Sequence, residues 1–108
     1  MNGLILPQTL GGLKSLNKLD FSENAASNIP ASIGMLSNLT ELYLNNNKLE
    51  TLPKEIGQLA HLRLLFLNNN ALTKLPSELS NLKDIEILHL EHNKLTHLPE
   101  GLADLQKL

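Results

Sequence analysis

The 108-residue sequence contains no cysteine, valine or tryptophan, and only 3% of its residues are aromatic. Without cysteine it can form neither disulfide bonds nor thiolate metal sites, which fits a reducing compartment. No window is long and apolar enough to predict a membrane-spanning helix or the core of a signal peptide. Lysine and arginine form no cluster and the formal net charge is −2, so we expect no nucleic-acid-binding surface.

The apolar residues, most of them leucine, recur at a fixed interval of 23 positions. The recurring positions are Leu16, Leu39, Leu62 and Ile85; Leu19, Leu42, Leu65 and Leu88; Phe21, Leu44, Leu67 and Leu90; and the pairs Ile29-Pro30, Leu52-Pro53, Leu75-Pro76 and Leu98-Pro99. The interval divides a single domain, 1–108, into a partial repeat at 1–15 and full repeats at 16–38, 39–61, 62–84 and 85–107. Such an interval predicts a solenoid whose units pack on their neighbours.

Each unit reads L-x-x-L-x-L-x-x-N-x-L-x-x-L-P-x-x-I-G-x-L-x-x. This pattern resembles the leucine-rich repeat family, in its 23-residue subtype found in intracellular and bacterial proteins. The resemblance implies an α/β fold, a curved right-handed coil with short parallel strands on its concave face and short helices or 3₁₀ turns on its convex face. It also implies a protein-interaction module without cofactor or enzymatic activity, as in a bacterial effector or a signalling scaffold. Its expected location is the cytoplasm of the bacterium or of a host cell.

The residues support the same architecture without the family. In the stretch Leu-Thr-Glu-Leu-Tyr-Leu at 39–44, Leu42 and Leu44 alternate with polar residues, which predicts a strand. A strand this short needs equivalent strands stacked in parallel beside it. In the second half of the unit, Pro53 precedes Ile56 and Leu59, which lie three residues apart. This spacing predicts a short helical or 3₁₀ turn with proline at its first position.

One asparagine per unit falls where the chain turns inward. These residues are Asn24, Asn47, Asn70 and Asn93. A side-chain amide at such a position can bond backbone groups of adjacent turns. We therefore assign them a structural role, the asparagine ladder that the resemblance implies.

The residues between the strand leucines point away from the core and form the candidate partner-binding surface. The candidates are Tyr43, Phe66, His89, Leu64, Ile87, Glu41, Asn45, Asn68 and Glu91. Two of the three aromatic residues of the chain lie here in one column, and exposed apolar patches with a polar rim mark interaction sites. The alternative is that Leu64 and Ile87 merely strengthen the sheet through cross-strand packing.

Metal binding and catalysis are not expected. His89, Glu91, His92 and Glu86 lie close in sequence, but their spacing matches no common zinc motif. Gly11-Gly12 is not followed by the residues of a phosphate-binding loop. Serine and histidine occur without the arrangement of a catalytic triad. We therefore predict neither a metal site nor an enzyme.

The ends of the sequence and its first full repeat depart from the pattern. The chain begins inside a unit and stops at Leu108, the first residue of another, without a polar capping unit. The alternative function is therefore a structural unit that self-associates through uncapped ends. Within repeat 16–38, Ala26 occupies the position that Leu49 occupies in the next repeat. A leucine-to-alanine change in a core costs about 2–5 kcal/mol, so we expect this repeat to open first.

Overall fold

The computed structural model describes residues 13–102, which contain a four-stranded parallel sheet. The strands are β1 at Lys18–Asp20, β2 at Glu41–Tyr43, β3 at Leu64–Phe66 and β4 at Ile87–His89, adjacent in chain order. Leu19 pairs with Leu42, Leu42 with Leu65, and Leu65 with Leu88. The 23-residue interval of the sequence is therefore the register of the sheet.

Three 3₁₀ helices run along the opposite side of the molecule. They are η1 at Ala31–Met35, η2 at Lys54–Gln58 and η3 at Ser77–Asn81. The sequence placed proline at the first position of each turn, which is wrong by one residue, because Pro30, Pro53 and Pro76 are the N-caps. Their ψ angles of 153°, 145° and 144° are those of extended backbone. Each proline is therefore the last extended residue before the helix begins.

The core lies between the sheet and the 3₁₀ helices and is built almost entirely of leucine and isoleucine. Fully buried residues include Leu39, Leu42, Leu44, Leu49, Ile56, Leu59, Leu62, Leu65, Leu67 and Leu72. Each unit alone has too little apolar surface to offset the entropy of ordering its backbone, so neighbouring units must supply part of the burial.

Asparagine side chains tie consecutive units together along one edge of the core. The amide nitrogen of Asn47 donates to the carbonyl oxygens of Phe21 and Leu44 at 2.9 and 3.0 Å. Its side-chain oxygen accepts from the backbone N–H groups of Asn24 and Ala26 at 3.0 and 2.9 Å. One buried side chain thus forms hydrogen bonds with four backbone groups that the short strands do not pair.

Three of these four bonds recur one and two units further on. Asn70 donates to Leu44 and Leu67 and accepts from Leu49, while Asn93 donates to Leu67 and Leu90 and accepts from Leu72. Asn24 donates to the carbonyl oxygen of Ser22 at 2.8 Å.

Parts of the predicted organisation lie outside the described residues. Most of the partial repeat 1–15, the Gly11-Gly12 pair and Leu108 belong to them. Within 13–102, no helix has the length and apolar character needed to cross a membrane.

Candidate functional site

The face of the sheet turned away from the core carries a grid of twelve side chains, four strands wide and three residues deep. Its first row is Lys18, Glu41, Leu64 and Ile87; its middle row is Asp20, Tyr43, Phe66 and His89; its third row is Ser22, Asn45, Asn68 and Glu91. We call this surface the strand-face grid. Alternate residues of a strand point to opposite faces, so the grid is the exposed counterpart of the leucine core.

The middle row of the grid contains a continuous stack of rings. The ring centroids of Tyr43 and Phe66 lie 4.9 Å apart with an interplanar angle of 13°. Those of Phe66 and His89 lie 4.6 Å apart at 26°. The Lys18 ammonium lies 5.4 Å from the Tyr43 centroid, a cation–π contact at one end of the stack. Both faces of the Phe66 ring are therefore covered by neighbouring rings, and its edge is left for the solvent side.

Aliphatic side chains extend the apolar surface beside this stack. Leu64 pairs with Ile87 across the β3–β4 ladder. Leu64 is half-buried, whereas Ile87 is 43% exposed. Cross-strand packing therefore accounts for part of the burial of this pair but leaves much of Ile87 open to solvent.

Carboxylates border the apolar surface on the side of β1 and β2. The Tyr43 hydroxyl donates to Glu41 Oε1 at 2.8 Å, and this bond raises the pKa of Tyr43. Asp20 accepts from the hydroxyl and backbone N–H of Ser22 at 2.7 and 3.1 Å. These bonds favour the ionised form and lower the pKa of Asp20.

Glu91 borders the apolar surface on the side of β4. Its carboxylate lies 3.1 Å from His89 Nδ1. Its own backbone N–H and, to a smaller extent, His89 lower the pKa of Glu91. The carboxylate also fixes the ring at the end of the aromatic stack.

The third row of the grid includes two asparagines that do not belong to the asparagine ladder. Asn45 and Asn68 are half-buried, and the Asn68 side-chain oxygen is buried without a hydrogen-bond partner among the described residues. The adjacent Asn46 and Asn69 are exposed and adopt left-handed backbone conformations with φ near 59°. Asparagine tolerates this region better than most residues, which explains the repeated Asn-Asn pairs at this turn.

All nine residues predicted as partner-binding lie on the strand-face grid. The reason is that residues 23 positions apart in the sequence are neighbours on adjacent strands of the sheet. The predicted set left out the three grid residues of the first repeat, Lys18, Asp20 and Ser22. Their spacing of 23 residues from the predicted residues of the same rows was the signal that could have identified them. The cation–π contact of Lys18 with Tyr43 was not foreseen.

The histidines and carboxylates near β4 do not gather into a ligand set. Within residues 13–102, no group of three or more histidine, aspartate or glutamate side chains is close enough to hold a metal ion. Glu86 instead pairs with Arg63, Oε2 to Nε at 2.7 Å, and this contact raises the pKa of Arg63.

Two family models match the chain. The model described as Leucine rich repeat covers residues 29–72, and a second model of the same description covers residues 84–105. No curated protein matches the sequence significantly.

Solved structures of leucine-rich repeat proteins resemble the chain closely. A Leptospira interrogans leucine-rich repeat protein is 38% identical over 96% of this chain, with a TM-score of 0.80. A chain from the structure of PEPR1–AtPEP1 is 32% identical over 96%, with a TM-score of 0.87. A chain of the BIR3–SERK2 complex from Arabidopsis thaliana is 36% identical over 95%, with a TM-score of 0.82.

The present chain is a leucine-rich repeat protein, and the strand-face grid lies on the concave side of its solenoid. The predicted family and fold class are thereby confirmed. The chain spans 32%, 15% and 57% of the three neighbours' lengths, respectively. The family is a protein-interaction scaffold, and that general role applies here.

Proposed function

We propose that the chain binds a partner protein on its concave face, with the ring stack of Tyr43, Phe66 and His89 as the centre of the interface. The observation that carries this proposal is the stack itself. Three rings are held face to face on the strand surface, beside the aliphatic side chains of Leu64 and the exposed Ile87. Rigid aromatic residues lose little conformational entropy on binding and are frequent hot spots of interfaces.

The remaining candidate residues form the rim of the proposed interface. Glu41 and Glu91 provide charge at its two ends, Asn45 and Asn68 provide hydrogen-bonding groups along one side, and Leu64 extends the apolar centre. A polar rim around an apolar centre is the usual anatomy of a protein interface. Two of the structural neighbours come from structures named for two proteins, PEPR1–AtPEP1 and BIR3–SERK2, which supports a protein partner here.

The proposed role is binding and not catalysis. The family is a protein-interaction scaffold, which supports a binding role. A role as a bacterial effector or a signalling scaffold, and a location in the cytoplasm, stay predictions from the sequence resemblance.

Affinity capture from cell extract with three baits tests the proposed interface. The baits are the wild type, the Tyr43→Ala/Phe66→Ala variant and Met35→Ala, which truncates a 51%-exposed side chain on the 3₁₀-helical side. Loss of two hot-spot residues at ~2 kcal/mol each should weaken binding by roughly two to three orders of magnitude. We expect proteins captured by the wild type to be retained by Met35→Ala and lost with the double variant. Equal capture by all three baits, with folding verified by circular dichroism, would refute the proposal.

A second candidate function, self-association, is favoured by an open cavity at the C-terminal end of the described coil. The cavity measures about 500 Å³ and is lined mainly by Leu88, Leu90, Leu98, Pro99 and Leu102. Leu98 is 54% exposed there, whereas the equivalent Leu52 and Leu75 are 8% and 9% exposed. If copies associate through this surface, light scattering will show mass increasing with concentration, and Leu98→Lys will abolish the increase. A constant monomer mass would exclude this role.

A further inference from the structure

The strand-face grid is acidic, whereas the formal charges of the other described residues balance. Its charged residues are the three carboxylates of Asp20, Glu41 and Glu91 and the single ammonium of Lys18. Outside the grid, the described cations are Lys14, Lys48, Lys54, Arg63, Lys74, Lys83 and Lys94, and the described carboxylates are Glu23, Glu50, Glu55, Glu78, Asp84, Glu86 and Glu100. Arg63, which borders the grid, is already paired with Glu86. A surface of this sign attracts cationic partners and repels anionic ones.

Two of the grid carboxylates lie at opposite corners of a rectangle centred on Phe66. Glu41 is on β2 in the first row, and Glu91 follows β4 in the third row, so each is one strand and two residues away from Phe66. Two strand spacings of ~4.8 Å and four residues of ~3.3 Å place their Cα atoms roughly 16 Å apart. The diagonal between them runs across the aromatic stack.

The centre of this diagonal suits an apolar side chain. Tyr43 and His89 cover both faces of the Phe66 ring, so a ligand meets its edge, with Leu64 and Ile87 alongside. The ends of the diagonal suit cations. Glu41 accepts one hydrogen bond from Tyr43 and Glu91 lies beside His89, and a carboxylate has further lone-pair sites for a second donor. Lys18 over Tyr43 shows that the stack accommodates a cation at its end.

We propose that the partner segment is an extended stretch with the pattern basic-x-apolar-x-basic, lying diagonally across the strands. This inference rests on the proposed binding role of the concave face and specifies its partner. Residues i, i+2 and i+4 of an extended chain point to the same side and span ~13 Å. The long side chains of lysine or arginine cover the remaining distance. Arginine fits better, because its planar guanidinium can pair with a carboxylate through two parallel hydrogen bonds.

Titration of the full chain with three acetylated and amidated peptides, followed by NMR of the backbone amides, tests this assignment. The first peptide is Ser-Arg-Ser-Leu-Ser-Arg-Ser; the second replaces both arginines with glutamate; the third moves both arginines to one side of the leucine. We expect the first peptide to shift the amides of Phe66 and His89 and to bind roughly fivefold more tightly than either control, since exposed charge pairs contribute modestly. A peptide concentration of ~1 mM matches such weak affinity.

Matched charge variants of the protein complete the experiment. Glu41→Gln/Glu91→Gln should weaken binding of the first peptide roughly fivefold, whereas Glu50→Gln/Glu100→Gln, at exposed positions outside the grid, should not. Equal binding of the three peptides, no effect of the grid variant, or no amide shift would overturn the inferred pattern and leave the proposed interface to the capture experiment. Amide shifts confined to the 3₁₀-helical side would overturn both proposals.

Discussion

The first full repeat, 16–38, and the two middle repeats, 39–84, follow one sequence pattern but bury it to different extents. Leu19 of β1 is half-buried, whereas Leu42 and Leu65 at the same position of β2 and β3 are fully buried. β2 and β3 have a strand on each side, but β1 pairs with one described strand. The comparison teaches that a leucine in this fold is buried by its neighbouring units as much as by its own.

The backbone of the first repeat also differs from that of the middle repeats. Ala25 has φ 56°, in the left-handed region, whereas the equivalent Lys48 and Ala71 do not. Such a conformation costs an alanine about 1–2 kcal/mol. In this conformation the N–H groups of Asn24 and Ala26 both donate to Asn47. The first repeat therefore combines a strained residue with Ala26 in place of a core leucine.

The largest effect is expected from truncating a core leucine in a middle repeat. Leu65→Ala should lower the free energy of unfolding by about 3–5 kcal/mol, because it leaves a cavity enclosed by two neighbouring units. Leu19→Ala should cost about 1–2 kcal/mol, since part of that side chain already contacts water. Urea denaturation of both variants measures the difference. Equal losses would mean that neighbouring units do not determine burial.

Removing a ladder asparagine should have the next largest effect. Asn47→Ala should lower the free energy of unfolding by about 2–3 kcal/mol, because it leaves several buried backbone groups unpaired. Asn24→Ala removes one described bond, to Ser22, and should cost about 1 kcal/mol. Thermal unfolding followed by circular dichroism distinguishes them. If the two variants are equally stable, the inter-unit bonds of Asn47 contribute little.

Adding a methyl group at the close contact between η2 and η3 should lower the free energy of unfolding by about 1–3 kcal/mol. A methyl group at Gly57 would lie 2.4 Å from the backbone oxygen of Glu78, which cannot move away as a flexible side chain can. At the equivalent place one unit later, Ser80 faces Gly101, so the small residue is on the other side of the contact. Gly57→Ala should therefore destabilise the protein, whereas Ser80→Ala should cost only about 0.5 kcal/mol, because it removes one exposed hydrogen bond to the Ser77 carbonyl oxygen. Similar denaturation midpoints for both variants would contradict this explanation.

The smallest expected effect is a difference in hydrogen exchange between the first full repeat and the two middle repeats. We expect the amides of β1 and of residues 21–26 to exchange with an opening free energy about 1–2 kcal/mol lower than those of β2 and β3. The reasons are the position of β1 at the edge of the described sheet, the strain at Ala25 and the missing leucine at Ala26. Uniform protection from residue 20 to residue 95 would show that the chain opens as one unit.

Much of the fold and the location of the candidate site could be predicted from the repeat alone. The interval of 23 correctly aligned Leu42 with Leu65, and it placed Tyr43, Phe66 and His89 in one row of the sheet. The details that escaped prediction are a contact between units and features of local backbone geometry. They include the cation–π contact of Lys18, the capping position of Pro53 and the left-handed backbone at Asn46 and Asn69.

The sequence by itself determined the periodicity, the parallel register and which side of each strand carries leucine. These properties follow from local alternation, which is written into every unit. Only the tertiary structure decided which leucines are fully buried, which faces of the rings are covered, and where a methyl group beside Glu78 would not fit. Those properties depend on the distance and orientation of the adjacent coil, and a coil acquires them only when its neighbours stack against it.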